Sequence, residues 1–311
     1  MLPLPASLSE FEARFSTEAA CIDYLRDRRW GGHFRCPRCG ESRAWQLRTR
    51  PLDQCVGCGH QVSLTAGTLF HGTRKPLCLW FRVIGEVVFS KRGCSALEIS
   101  RRFGLRYATA WAWLHKLRGA MDRSFGDPLE GVVELDETYV GGYAPGGRRG
   151  RSTESKSVVV GAAECRGEHI GRIRLRLIPT VTAAELTAFA LTSIAAGSTL
   201  CTDGYRGYCA LGGRDYSHRP VIVGRSGNAS RLLPRIHRIF GLLDRWLLGT
   251  LHGAISTKHL QRYLDEFVFR FNRRTSANRL LLFDRLLSGA LRRPPTSYRQ
   301  IVDGPLQVVA A

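Results

Sequence analysis

Two aspartates each close an apolar, strand-like run: Asp136 in Glu134-Leu-Asp-Glu-Thr-Tyr-Val-Gly-Gly142, and Asp203 in Cys201-Thr-Asp-Gly-Tyr-Arg-Gly-Tyr208. They belong to a chain of 311 residues in which 46 Lys and Arg outnumber 26 Asp and Glu, a formal charge of +20. Carboxylates hold hard cations such as Mg²⁺, and two such ions can clamp an in-line displacement at phosphorus. A basic surface around an acidic centre is the pattern expected of an enzyme that processes nucleic acid. Composition by itself also fits a ribosome-associated or simply solubilised basic protein.

A second group of chemistry-bearing residues lies upstream. Cys36-Pro-Arg-Cys39-Gly is followed, after fifteen residues, by Cys55-Val-Gly-Cys58-Gly. Each Cys-x-x-Cys forms a knuckle that aims two thiolates at one point, and two knuckles complete a tetrahedral Zn²⁺ site. Gly40 and Gly59 supply the positive φ that turns backbone N–H groups toward the sulfurs. A thiol-redox pair needs one reactive Cys-x-x-Cys, not two at this spacing. Four protein sulfurs leave no open coordination position, so the expected zinc is structural. Trp45-Gln-Leu and Gln54 fit short hairpin strands, which makes 33–62 a zinc ribbon. Cys21, Cys78, Cys94, Cys165, Cys201 and Cys209 are scattered singly and read as small buried apolar residues of a reducing compartment.

These groups need elements to position them, and a hydrophobic content of 44% is ordinary for a globular chain with two or three domains. Residues 1–32 read as helical, with Ser7 or Ser9 capping a helix that contains Phe11 and Phe15, and Thr17 starting another. Residues 76–92 form an aromatic helix. Within 76–124, the stretch 95–121 has helix–turn–helix form: Leu97, Ile99 and Phe103 supply the core of the first helix, Gly104 the turn, and Ala110, Leu114 and Leu117 the buried stripe of the second. Arg106, Tyr107, Thr109 and Trp113 would then face DNA, with Lys116 and Arg118 near phosphates. A plain αα-hairpin has the same signature.

From Val132 the pattern changes to strands, at 132–140, 157–163 and 170–178, followed by a helix at 182–195 and a short fourth strand at 199–203. Helices follow to about 288. Three strands, a crossover helix, a strand and further helices make a mixed α/β domain over 130–288, with the fourth strand free to pair in parallel with the first. Residues 289–311 are read as a C-terminal tail. No apolar run approaches the ~18–20 residues that span a bilayer, and no signal-peptide pattern stands at the start, so a cytoplasmic location is expected.

The order of these motifs, closing with HGAISTKHLQRYLDEFVFRFNRR, resembles the bacterial insertion-sequence transposases of the ISXO-like branch of the DDE superfamily, from about Leu8 to Arg274. The resemblance implies a ribonuclease H-like catalytic domain with Asp136 on its first strand and Asp203 at the end of its fourth, holding two Mg²⁺ or Mn²⁺ ions. The ions would activate water, and then the liberated 3′-hydroxyl, for attack on DNA phosphates. A third ligand is implied on the following helix, and by position it is His237. The family places a Lys about two turns later, where it reads approximately Ser-Asn-Leu-Lys; this chain has Gly241-Leu-Leu-Asp244. His237 and Asp244 share a helix face ~10 Å apart. The implied partners are double-stranded DNA, as terminal inverted repeats and target, and further copies of the chain on that DNA, in a nucleoid-associated setting. Two rival readings are a transposase-derived DNA-binding protein with a decayed site, and a nuclease without strand transfer.

Other residues take expectations of their own. Glu134 alternates onto the face of Asp136, where it would either lie beside the metals or, as the favoured reading, make a supporting or surface contact, while Glu137 points the other way and is read as structural. Arg172, Arg174 and Arg176 line one strand face and would either track DNA or be solvated. The Arg148-Arg149-Gly-Arg151 loop follows the Asp136 strand and is a candidate phosphate contact. Leu260, Tyr263, Leu264, Phe267 and Phe271 form a core stripe. Glu266 is an outside candidate for the third acid, and His218 a candidate neighbour of the site.

Overall fold

Short polar side chains start the first helices. Ser7 accepts the N–H of Glu10 at the head of α1 (Leu8–Arg14), and Thr17 accepts that of Ala20 at the head of α2 (Glu18–Trp30). In the computed structural model the described residues are 5, 7–47, 51–122, 126–141, 156–213, 215–221, 232–252 and 255–304. They fall into two units, one built from residues up to 121 together with 276–304, the other spanning 122–275.

In the first unit, β1 (Ala44–Gln46), β2 (Leu52–Cys55) and β3 (Gln61–Ser63) form an antiparallel three-stranded ribbon. The hairpin expected from Trp45 and Gln54 thus gains a third strand after the second knuckle. Arg26 and Trp30 of α2 both bond the buried carboxylate of Asp53, at 3.1 and 3.2 Å, and fasten the ribbon to that helix. The aromatic helix α3 (Leu77–Phe89) is followed by α4 (Ala96–Phe103), a left-handed Gly104 at φ 62°, and α5 (Tyr107–Met121). Ile99, Ala110, Leu114 and Leu117 are buried as expected, whereas Leu97 is exposed, because α4 turns only its Ile99 side fully inward. The last helices, α9 (Leu280–Arg292) and α10 (Tyr298–Asp303), also pack here. Asp284 accepts the Tyr24 hydroxyl at 2.9 Å, and Phe283 meets the rings of Phe11 and Phe81. The second unit ends at 275, short of the 288 read from the sequence, and the helix beyond it, α9, packs on α5 and α3, with α2 beside them.

The second unit holds β4 (Val132–Val140), β5 (Ser157–Arg166), β6 (His169–Ile178), α6 (Ala183–Ser193, capped by Thr182), β7 (Thr199–Thr202), a 3-10 turn at Arg206–Leu211, β8 (Ser217–Pro220), α7 (Pro234–Leu251) and α8 (Thr257–Phe271). The sheet order is β6-β5-β4-β7-β8: the first three strands are antiparallel, and β7 and β8 run parallel to β4. Both faces are covered. On one side Val159, Ile173 and Leu175 pack against Ile236, Ile239 and Phe240 of α7 and against Leu260 and Leu264 of α8. On the other, Val133, Leu135 and Leu200 pack against Leu186, Phe189 and Ala190 of α6. Three layers around a central β4 leave the residues of that strand the best-supported positions in the unit.

Candidate functional site

Strand alternation sends Glu134 and Asp136 of β4 to the α7 face, where both are buried. His237, in the first turn of α7, brings its Nε2 to 3.3 Å from Asp136 Oδ2. Asp203 follows the last residue of the neighbouring parallel strand β7, and its Oδ1 accepts the N–H of Tyr205 at 3.0 Å in a tight turn. Burial, then the charges of Glu137 and Asp203, push the Asp136 carboxyl up to about 7. Part of that rise is mutual repulsion among three carboxylates, which a bound divalent cation would relieve. Asp136, Asp203 and His237 do not, however, form a cluster with every ligand atom within 4.8 Å of the others; among the described residues that closeness belongs to the four cysteines.

The surroundings hold these groups in place. Glu134 Oε2 accepts the N–H groups of Arg235 and Ile236 at 2.8 and 2.9 Å. Glu137 does point away, accepting the buried Tyr208 hydroxyl at 2.5 Å, and burial raises its pKa. His218, on β8, lies with Nε2 2.9 Å from Thr202 Oγ1, whose hydroxyl donates to the carbonyl of Asp203 at 2.8 Å. That hydroxyl has one proton, so His218 Nε2 is the donor to Thr202. The fifth strand that carries His218 had no sequence signal, because Ser217-His-Arg-Pro220 lacks apolar alternation.

The cysteine cluster has the dimensions of a zinc site. Cys36 and Cys58 sulfurs lie 3.6 Å apart and Cys39 and Cys55 3.5 Å, close to the ~3.8 Å edge of a tetrahedron with Zn–S bonds of about 2.3 Å. Gly40 and Gly59 adopt φ of 76° and 68° behind the knuckles. Against desolvation, backbone N–H groups of Arg38 and Cys39 draw the Cys36 thiol down to about 7, toward the thiolate that metal binding needs.

Residues 16–61 match the transposase zinc-ribbon domain, and residues 128–272 match the ISXO2-like transposase domain. The chain carries an ISXO2-like transposase domain with a transposase zinc ribbon ahead of it. A protein of Halobacterium salinarum, described as an uncharacterised protein in transposable element ISH50, is 25% identical over 276 residues, covering 82% of this chain and 91% of its own.

Within the transposase domain, Asp244 is exposed on the outer face of α7, and its pKa is raised by desolvation. Glu266 is buried and pairs with Arg270 at 2.7 Å, which commits it to α8. The arginines of β6 serve the fold: Arg172 binds the buried Glu164 at 2.6 Å and the Pro128 carbonyl at 2.8 Å, Arg174 reaches the Asp127 carbonyl, and Arg176 the Thr192 hydroxyl. Arg148, Arg149 and Arg151 lie outside the described residues. In the first unit, Arg106 and Tyr107 are exposed at the start of α5, while Thr109 and Lys116 are half-buried, with burial lowering the Lys116 pKa. Trp113 does not face outward. It is 6% exposed and stacks on Trp80 with ring centres 3.5 Å apart, because its position falls on the core stripe of α5. Arg118 is likewise buried and not on the surface.

Proposed function

We propose that the protein is a DNA transposase of an insertion sequence, whose ribbon and α4–α5 region bind terminal inverted repeats and whose mixed unit cleaves and joins strands. The observation that carries the chemistry is the contact between Asp136 and His237 beside Asp203, on the central strand and its covering helix. The strand sequence 3-2-1-4-5, with the last two parallel to the first, supports a ribonuclease H-like domain. Two divalent ions bound there would activate the attacking oxygen and stabilise the leaving one. Asp136, Asp203 and His237 would hold them. The exposed Arg106 and Tyr107 at the head of α5 support DNA contact by that helix, with Thr109 and Lys116 behind them. The Arg148–Arg151 loop would add phosphate contacts, and more than one copy would act on paired DNA ends.

The test is strand transfer with the element's own ends, in Mg²⁺ and then Mn²⁺. Asp136→Ala and Asp203→Ala should abolish cleavage and joining, and His237→Ala should impair both severely, while end binding persists. Wild-type strand transfer by either aspartate variant would defeat the assignment. An inactive wild type with an active Asp244→Lys would identify a decayed transposase, and cleavage without joining a nuclease.

A further inference from the structure

We infer that Glu134 is a positioning residue, which ties the first turn of α7 to β4 and thereby aims His237 at Asp136. The geometry stands on hydrogen bonds within one unit; its consequence for strand transfer rests in addition on the transposase reading above.

A helix leaves its first N–H groups without intrahelical partners. At the head of α7, Leu233 occupies the capping position and offers no side-chain acceptor. Pro234 removes one of the donors, and the next two, on Arg235 and Ile236, both go to Glu134 Oε2. Oε1 accepts Arg235 Nη1 at 3.0 Å, and Arg235 Nη2 also donates to the Gly167 carbonyl. The cap is therefore supplied by a carboxylate on the central strand, 101 residues away in sequence and 3% exposed. A negative charge at this end of a helix is further favoured by the macrodipole.

A cap local to the helix would satisfy the same N–H groups without fixing where the helix sits on the sheet. Glu134 does both. Two residues along the same face of β4 stands Asp136, and directly after Ile236 on α7 stands His237. One strand carboxylate thus holds the helix backbone while the other meets the next side chain at 3.3 Å. Gly161, opposite Asp136 on β5, allows the close approach. A Cβ there would lie 2.7 Å from Phe240 and 3.0 Å from Ile236, both on α7.

The experiment uses the full chain with ¹³C-labelled histidine, the His237 ring signal being identified by its loss in His237→Ala. Asp136→Asn should shift that signal in an otherwise wild-type chain, and the shift should largely vanish when Glu134→Ala, which leaves no acceptor for the two N–H groups, is also present. Arg235→Ala leaves both main-chain donors in place and should preserve the response. Strand-transfer turnover of Glu134→Ala should fall roughly tenfold to a hundredfold, as expected when a reacting group is misplaced by about an ångström. Binding to terminal repeats should stay within about twofold, well under the tenfold that 1.4 kcal/mol would produce. An undiminished ring response in Glu134→Ala would overturn the proposal, as would global unfolding of that variant, since the residue would then hold the fold and not aim one side chain. If the wild type transfers no strands, the transposase reading fails by that result, and the ring response still decides the role of Glu134.

Discussion

Asp136 is held in a protonation state that its own neighbours make unfavourable to leave. Burial first, then Glu137 and Asp203, raise its folded pKa to about 7, above the ordinary carboxylate value. The sign follows from linkage: a raised acid stabilises the fold at low pH, and that contribution is lost as pH rises through about 7. Without divalent cation, Asp136→Asn should therefore raise the melting temperature more at pH 8 than at pH 5, and Mn²⁺ affinity of the wild type should climb between pH 6 and pH 8 as the competing proton leaves. Calorimetry at the two pH values and Mn²⁺ titration check this; an equal gain at both, with flat affinity, would contradict it. Gly161→Ala should place a methyl against Phe240, Leu175 and Ile236, cost ~1–3 kcal/mol of stability, and reduce strand transfer by displacing α7. The four cysteines were legible in the sequence because the Cys-x-x-Cys spacing carried them; Asp136 and Asp203 stood out as carboxylates closing apolar runs, and the resemblance alone pointed to His237. The capping role of Glu134 was not, since its partners are about a hundred residues away. Trp113 falls with Ala110, Leu114 and Leu117 on one helical stripe, so its inward stacking on Trp80 was open to the periodicity and the outward reading overlooked it.

At the level of elements, β6 is an edge strand that α8 and the residue after it finish. Asn272 donates to the Ile173 carbonyl at 3.0 Å and accepts the Ile173 N–H at 2.8 Å, as a neighbouring strand would. Gln261 accepts the Leu177 N–H at 2.8 Å. An open edge invites pairing with other chains, and two amides on a covering helix close it. Asn272→Ala should leave both main-chain groups of Ile173 unpartnered and cost about 1–3 kcal/mol, measured as a lower urea midpoint, with increased aggregation at elevated temperature. An unchanged midpoint would show that water satisfies those groups equally well. The strands that alternate or run apolar, β4 to β7, were legible from the pattern alone. By contrast β8 is four largely polar residues that become a strand only because β7 lies beside it, and α9 reads as one more helix until it packs on α5 and α3.

At the scale of the whole molecule, the chain combines a metal-closed ribbon with a large excess of positive charge. The ribbon is small, so zinc and its bonds to α2 must replace the core that 33–62 cannot supply. About one zinc per chain is expected, and Cys36→Ser should lose it and weaken end binding. Freshly purified reduced protein without zinc would rule this out. The charge leads to the broader prediction. Several acids are spent inside the structure: Glu134, Glu164 and Glu266 are buried under Arg235, Arg172 and Arg270. Such pairs leave the net charge at +20, but few of those carboxylates remain at the surface to oppose a polyanion. Each phosphate neutralised on DNA binding releases condensed counterions, so affinity should fall steeply and log-linearly with salt. The loss is ~10³–10⁵ between 50 and 200 mM salt if about six to ten phosphates are contacted. Random duplex and terminal repeats should share most of that slope, since phosphate contacts carry no sequence information, and only the intercept should separate them. Asp136→Ala should leave the slope where it was. Titration of labelled duplexes across that salt range decides the matter, and a flat dependence for both duplexes would mean that the basic surface does not carry the DNA.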